Sequence, residues 1–224
     1  MADQPLQQPE YFPAEPTTAL IQGPAGQLEI MTEQPEVSDA WNAVAVLCHP
    51  HPLHGGTMHN KVVHMMERSV RELGLKTVRL NFRGVGLSEG EFDNGFGETN
   101  DLIAVTEWAQ SVLPDHELWL GGFSFGSYVA VKGAQQLPVK QMISIAPPVE
   151  RYDFVALPRP DCPWLVVQGD EDEVVAPAAV YDWIDGLEDP PQLVKLEGAG
   201  HFFHRRLMDL RGVIKNGVRR QRDT

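Results

Sequence analysis

The chain has two cysteines, Cys48 and Cys162, in 224 residues. That is too few for the disulfide framework of a small secreted protein. Basic residues are scarce as well: 18 Lys+Arg against 31 Asp+Glu leave a formal net charge of −13. Such a balance repels phosphate backbones and anionic lipid, so neither nucleic acid nor a membrane is an expected partner. The late basic residues, Arg205-Arg206 and Arg219 to Arg222, read as a helix end with a frayed tail. No apolar run approaches the roughly 18 residues of a membrane span. The polar stretch Met1 to Pro16 has no basic n-region and no apolar h-region, which predicts a flexible N-terminal segment rather than a secretory signal, and a cytoplasmic location. What is present, 42% apolar and 22% charged residues, suits one buried core, read as a single domain over 17–224.

Hydrophobic periodicity predicts an α/β fold. Thr18–Gln22 and Gln27–Met31 alternate about a Gly/Pro turn as a hairpin. Ala43–Cys48 is an uninterrupted apolar run, as in a strand buried on both faces of a parallel sheet. Helical spacing follows over 57–73 with Gly74 as a stop, then a strand Thr77–Phe82, a helix over 98–113 and a strand entered at Leu118. A helix from Ser124 to about Gln136, strands at Met142–Ala146, Trp164–Gln168 and Gln192–Leu196, a helix over 177–186, and a closing helix from His201 or soon after complete the pattern. This predicts a mainly parallel sheet of about eight strands with the first hairpin antiparallel at one edge.

The candidate chemistry sits at strand ends. Gly122-Phe123-Ser124-Phe125-Gly126 is a Gly-x-Ser-x-Gly between an apolar strand and a helix, the context in which a serine nucleophile stands on a sharp turn. Side chains at 122 and 126 would collide with the neighbouring strand and helix. The turn aims the N–H of Phe125 where an oxyanion would form. A hydroxyl needs a base and the base an orienting acid, in the chain order Ser, Asp/Glu, His. The strand ending at Gln168 runs into Asp170, Glu171, Asp172 and Glu173, of which Asp172 is the first choice and Asp170 the second. The strand ending at Leu196 leads through Gly198 and Gly200 to His201, while His204 is expected on the helix, pointing elsewhere.

Three segments together carry a resemblance: His49-Pro50-His51-Pro52-Leu53-His54-Gly55-Gly56, Asn81-Phe82-Arg83-Gly84-Val85-Gly86-Leu87-Ser88, and Gly122 to Gly126. Over nearly its whole length the chain resembles the α/β-hydrolase superfamily, in particular its small lidless hydrolases. The resemblance implies the α/β-hydrolase fold without a cap domain, Asp172 as the acid and His201 as the base. It also implies a second oxyanion donor in the loop after Cys48. His51 matches that position, but Pro50 and Pro52 flank it and lack an N–H, so Leu53 stays an alternative.

Other features read as structural. Five histidines from His49 to His64 invite a metal, yet His59 and His64 lie at i, i+5, so no metal is expected. Gly84 to Gly90 departs from a dinucleotide fingerprint and opens no helix, so no cofactor is expected, and Arg83 is read as the anchor of that loop. Residues 149–162 are too short for a cap, which implies an open cleft walled by Phe123, Phe125, Tyr152, Phe154 and Phe202. The expected partner is a small-molecule ester, cleaved as a short-chain carboxylic ester, and a homodimer is allowed. Thioesterase, lactonase or peptidase activity on the same triad, and a non-catalytic binding role, stay open.

Overall fold

The computed structural model describes residues 7–218 except 36, 38 and 39. Residues 1–6 of the leading segment and the basic run Arg219 to Arg222 lie outside the described residues. Strands β1 (Thr17–Gly23), β2 (Gly26–Glu33), β3 (Ala43–Cys48), β4 (Lys76–Leu80), β5 (Glu117–Phe123), β6 (Val139–Ile145), β7 (Trp164–Gly169) and β8 (Gln192–Leu196) form one eight-stranded sheet. Its order is β1-β2-β4-β3-β5-β6-β7-β8. β1 and β2 pair antiparallel, as do β2 and β4, and every other pairing is parallel. This is the α/β-hydrolase fold.

Helices α1 (Lys61–Arg71), α2 (Phe96–Val112), α3 (Phe125–Gly133), α4 (Pro177–Asp185) and α5 (Leu207–Gly217) cover both faces. The strand period of two divides the core between them. Val44, Val46 and Cys48 of β3 join the cluster of Leu102, Val105, Val129 and Ile184 under α2, α3 and α4. Ala43, Ala45 and Leu47 join Val63, Met66, Leu210 and Ile214 under α1 and α5. A strand with apolar residues on both faces therefore needs no alternation, as expected of β3. Both cysteines are free.

The boundaries move for local reasons. α1 begins at Lys61 rather than near 57, because Asn60 Oδ1 accepts the Val62 N–H at 2.9 Å and caps it. α2 begins at Phe96, where the Glu98 carboxylate accepts the N–H groups of Gly95 at 2.7 Å and Asp93 at 2.8 Å. α3 ends at Gly133, short of Gln136. The closing helix starts only at Leu207, since Phe203 (φ 52°) and Arg205 (φ 62°) hold left-handed backbone that no helix admits. Between β6 and β7 the chain makes turns and inserts no helix, so there is no cap. Ahead of Thr17 the chain is laid against the domain: Trp108 Nε1 donates to Pro9 O at 3.1 Å and its ring stacks on Phe12. No helix among the described residues is long and apolar enough to cross a membrane.

Candidate active site

Ser124 joins β5 to α3 with φ 52° and ψ −123°, a strained conformation for a non-glycine residue. The turn is held from both sides. Ser124 N–H donates to Ile145 O of β6 at 2.8 Å, and its carbonyl accepts from Ser127 N at 2.9 Å and Ser127 Oγ at 2.6 Å. The flanking glycines are required by space, as the spacing predicts. A Cβ at Gly122 would stand 2.1 Å from Gly126 O, and one at Gly126 would stand 2.5 Å from the carbonyl oxygens of both Cys48 and His49.

At the ends of β7 and β8 the acid loop and the histidine loop meet. Asp172 Oδ2 lies 2.9 Å from His201 Nδ1 and accepts from Gln168 Nε2 at 3.1 Å, while Oδ1 accepts the N–H groups of Val174 and Val175, both at 2.8 Å. Burial raises the Asp172 carboxyl, but the His201 contact and the two backbone donors outweigh it, and the net shift is downward. The carboxylate thus stays charged and faces Nδ1, and with a proton on that nitrogen Nε2 is left free to accept one. Asp170, the second choice for the acid, does something else: its Oδ1 accepts Gly198 N–H at 2.7 Å and closes the histidine loop. Glu173 Oε2 accepts the His201 backbone N–H at 3.0 Å, a positioning contact that single-letter reading of an acidic run could not assign.

His201 reaches the serine turn through Phe123, whose ring centroid is 4.9 Å from the imidazole. Ser124 Oγ itself makes no hydrogen bond to His201 among the described residues, a looseness common before substrate binds. His204 is not on the helix as expected. It is exposed in the turn before α5, 6.0 Å from the Phe202 ring.

The loop after β3 faces the start of α3. His51 Nδ1 accepts the Leu53 N–H at 3.2 Å, so that donor is already engaged, and the Leu53 side chain is exposed. The Phe125 N–H, at the first position of α3, has no intrahelical acceptor. The loop's two glycines have separate duties. Gly55 supplies φ 76° with open space around it, whereas a Cβ at Gly56 would meet Pro50 O at 2.1 Å. Behind the loop, Asn81 Oδ1 accepts Met58 N–H at 2.8 Å and its Nδ2 donates to Glu29 Oε2 at 2.7 Å. Ser88 Oγ donates to Asn81 O at 2.7 Å, closing a buried network. Arg83 grips Asp101 through Nε at 3.0 Å and Nη2 at 2.8 Å, the anchoring expected of it.

The expected cleft walls are partly reassigned. Phe123, Phe125 and Phe154 are buried core side chains rather than cleft walls. Tyr152 remains, half-buried and 5.4 Å from the Phe125 ring, and is joined by two rings that the sequence did not single out as walls. These are Phe92, 4.8 Å from His51 and 5.7 Å from Phe125, and Tyr128, stacked on Tyr152 at 4.7 Å. Phe202 is half-exposed against the His201 ring at 5.1 Å. Among the described residues, no three metal-ligating side chains converge.

No family model matches the sequence. A solved structure from Xanthomonas campestris, XC6422, described as an a/b serine hydrolase without lid, is 48% identical, covering 96% of this chain and 99% of that one, with a TM-score of 0.93. An alpha-beta serine hydrolase homologue from Coxiella burnetii is 46% identical over 93% of this chain and 100% of that one, with a TM-score of 0.90. The uncharacterized protein RP471 of Rickettsia prowazekii is 36% identical over 81% of this chain and 79% of its own length. The chain belongs to the α/β serine hydrolases without a lid.

Proposed function

We propose that the chain hydrolyses small carboxylic esters through an acyl-enzyme, with Ser124 as nucleophile, His201 as general base and Asp172 as the acid that orients it. The observation that carries this reading is the strained Ser124 turn at the same sheet edge as the His201–Asp172 pair. His201 Nε2 takes the hydroxyl proton as Ser124 Oγ attacks the ester carbonyl, then returns it to the departing alcohol. Water repeats the step and releases the acid. The N–H groups of Phe125 and His51 serve as the oxyanion hole. The engagement of the Leu53 N–H by His51 Nδ1 favours His51 over Leu53 as the second donor.

The test is labelling by a fluorophosphonate probe, with turnover of p-nitrophenyl acetate. Ser124→Ala should stay folded, lose the label and lose about 10³-fold or more in kcat. A folded Ser124→Ala that keeps wild-type turnover sinks the assignment.

A further inference from the structure

At the sheet edge that carries Ser124 stands a cation that the reaction described above does not use. Arg151 lies in the turn after β6, its backbone N–H bonded to Pro148 O at 3.0 Å. It therefore sits at the carboxyl edge of the sheet, beside the strand that ends at Ser124, where open α/β sheets bind ligands. Its neighbour Tyr152 packs its ring 5.4 Å from Phe125, the residue after the serine. Its guanidinium reaches across to the acid loop, where Nη2 donates to Val174 O at 3.1 Å, two residues beyond Asp172. Arg151 is also close enough to the oxyanion loop to act on the His51 imidazole. Burial, His54 and Arg151, in that order, disfavour the charged form of His51.

Arg151 spends one donor on a neutral carbonyl and has no carboxylate partner among the described residues. A guanidinium carries five donors and Arg151 is exposed, so the others are open to a ligand. In a chain of net charge −13 the surface offers many acids. An exposed arginine without a carboxylate partner among the described residues, next in the chain to Tyr152, which packs on the residue after Ser124, is available to a ligand. The overall negative field repels anionic substrates, but salt screens it within about 8–10 Å, so the group in contact decides.

We propose that Arg151 is a specificity residue that binds a carboxylate on the substrate, making half-esters of dicarboxylic acids or esters of hydroxy-acids the preferred substrate class. The proposal rests on the ester-hydrolase reading for its chemistry but not for its binding geometry. A carboxylate on the guanidinium forms a charge-assisted, bidentate contact. Such a contact should separate an anionic ester from its neutral isostere by about tenfold to a hundredfold.

The experiment measures dissociation constants by calorimetry on folded Ser124→Ala, which binds without turnover. Two pairs distinguish where the carboxylate sits: monomethyl adipate against dimethyl adipate for the acyl side, and 4-acetoxybenzoate against 4-acetoxybenzamide for the alcohol side. In at least one pair the anion should bind about tenfold or more tightly, more weakly as salt rises. The preference should vanish in Ser124→Ala/Arg151→Met and return in good part in Ser124→Ala/Arg151→Lys. A purely structural bond to Val174 O would not move this ratio. Equal affinities within both pairs, no binding of either anion, or a preference that survives Arg151→Met overturns the proposal. If wild type binds these esters through Arg151 yet turns over none, the hydrolase reading fails while the carboxylate subsite stands.

Discussion

His49 Nε2 accepts the backbone N–H of Phe82 at 3.1 Å, and its Nδ1 donates to Pro50 O at 2.6 Å. One buried imidazole thus ties the loop after β3 to the segment after β4, the two sequence motifs that flank the serine turn. Burial is the main reason its protonation is pushed down to about 4, against the favourable Pro50 contact.

That depression sets an acid limit. A histidine held neutral in the folded state contributes stability above its ordinary value of 6.5, and loses it as pH falls toward about 4, at most about 3 kcal/mol. In urea unfolding at pH 7 and pH 5, wild type should lose more stability than His49→Gln, which keeps an acceptor but does not titrate. Parallel losses would show that His49 does not carry the acid sensitivity.

Asp172→Asn should lower kcat by about 10³- to 10⁴-fold, because an amide no longer holds the imidazole tautomer or stabilises the imidazolium. Asp170→Asn removes charge only from the loop contact with Gly198 and should lose far less. Rate measurements on both folded variants decide it, and equal losses would move the orienting role.

The absent cap predicts a chain-length limit. Each methylene buried is worth about 0.8 kcal/mol, and beyond Phe92 and Tyr152 an open cleft has little surface to bury more of them. On p-nitrophenyl esters kcat/KM should peak at about two to six acyl carbons, with no jump at an oil–water interface. A maximum at about twelve carbons or more would reveal an acyl tunnel instead.

A second titrating pair lies far from chemistry. Glu67 is fully buried on α1, and its Oε1 accepts from Arg71 Nε at 2.8 Å and Thr77 Oγ1 at 3.1 Å. Burial, then the neighbouring Glu33 carboxyl, push Glu67 up to about 7, while Arg71 and Arg79 pull it down. A carboxyl raised in the folded state gives stability at low pH that is lost as pH rises through about 7. Between pH 6 and pH 8 the unfolding free energy of Glu67→Gln should gain on wild type by on the order of 1 kcal/mol. A difference independent of pH would remove Glu67 from the alkaline limb.

The sequence by itself determined the architecture and the outline of the site. Apolar runs such as Ala43–Cys48, helical spacing along α1 and α2, and Gly-x-Ser-x-Gly between strand and helix are local signals, and they placed the eight strands and the serine turn. Helix starts were less legible because caps decide them: Asn60 ends one turn and starts α1, and left-handed Phe203 and Arg205 postpone α5 to Leu207. The sequence and the resemblance ranked Asp172 above Asp170, and only the tertiary structure shows which distant loop each reaches, His201 or Gly198. The bond from Leu53 N–H to His51 Nδ1, the packing of the Phe92 and Tyr128 rings, and the reach of Arg151 to Val174 O are likewise seen only in the tertiary structure. A side chain's partners across the sheet edge depend on where β3, β6, β7 and β8 end relative to one another, and no spacing along the chain encodes that distance.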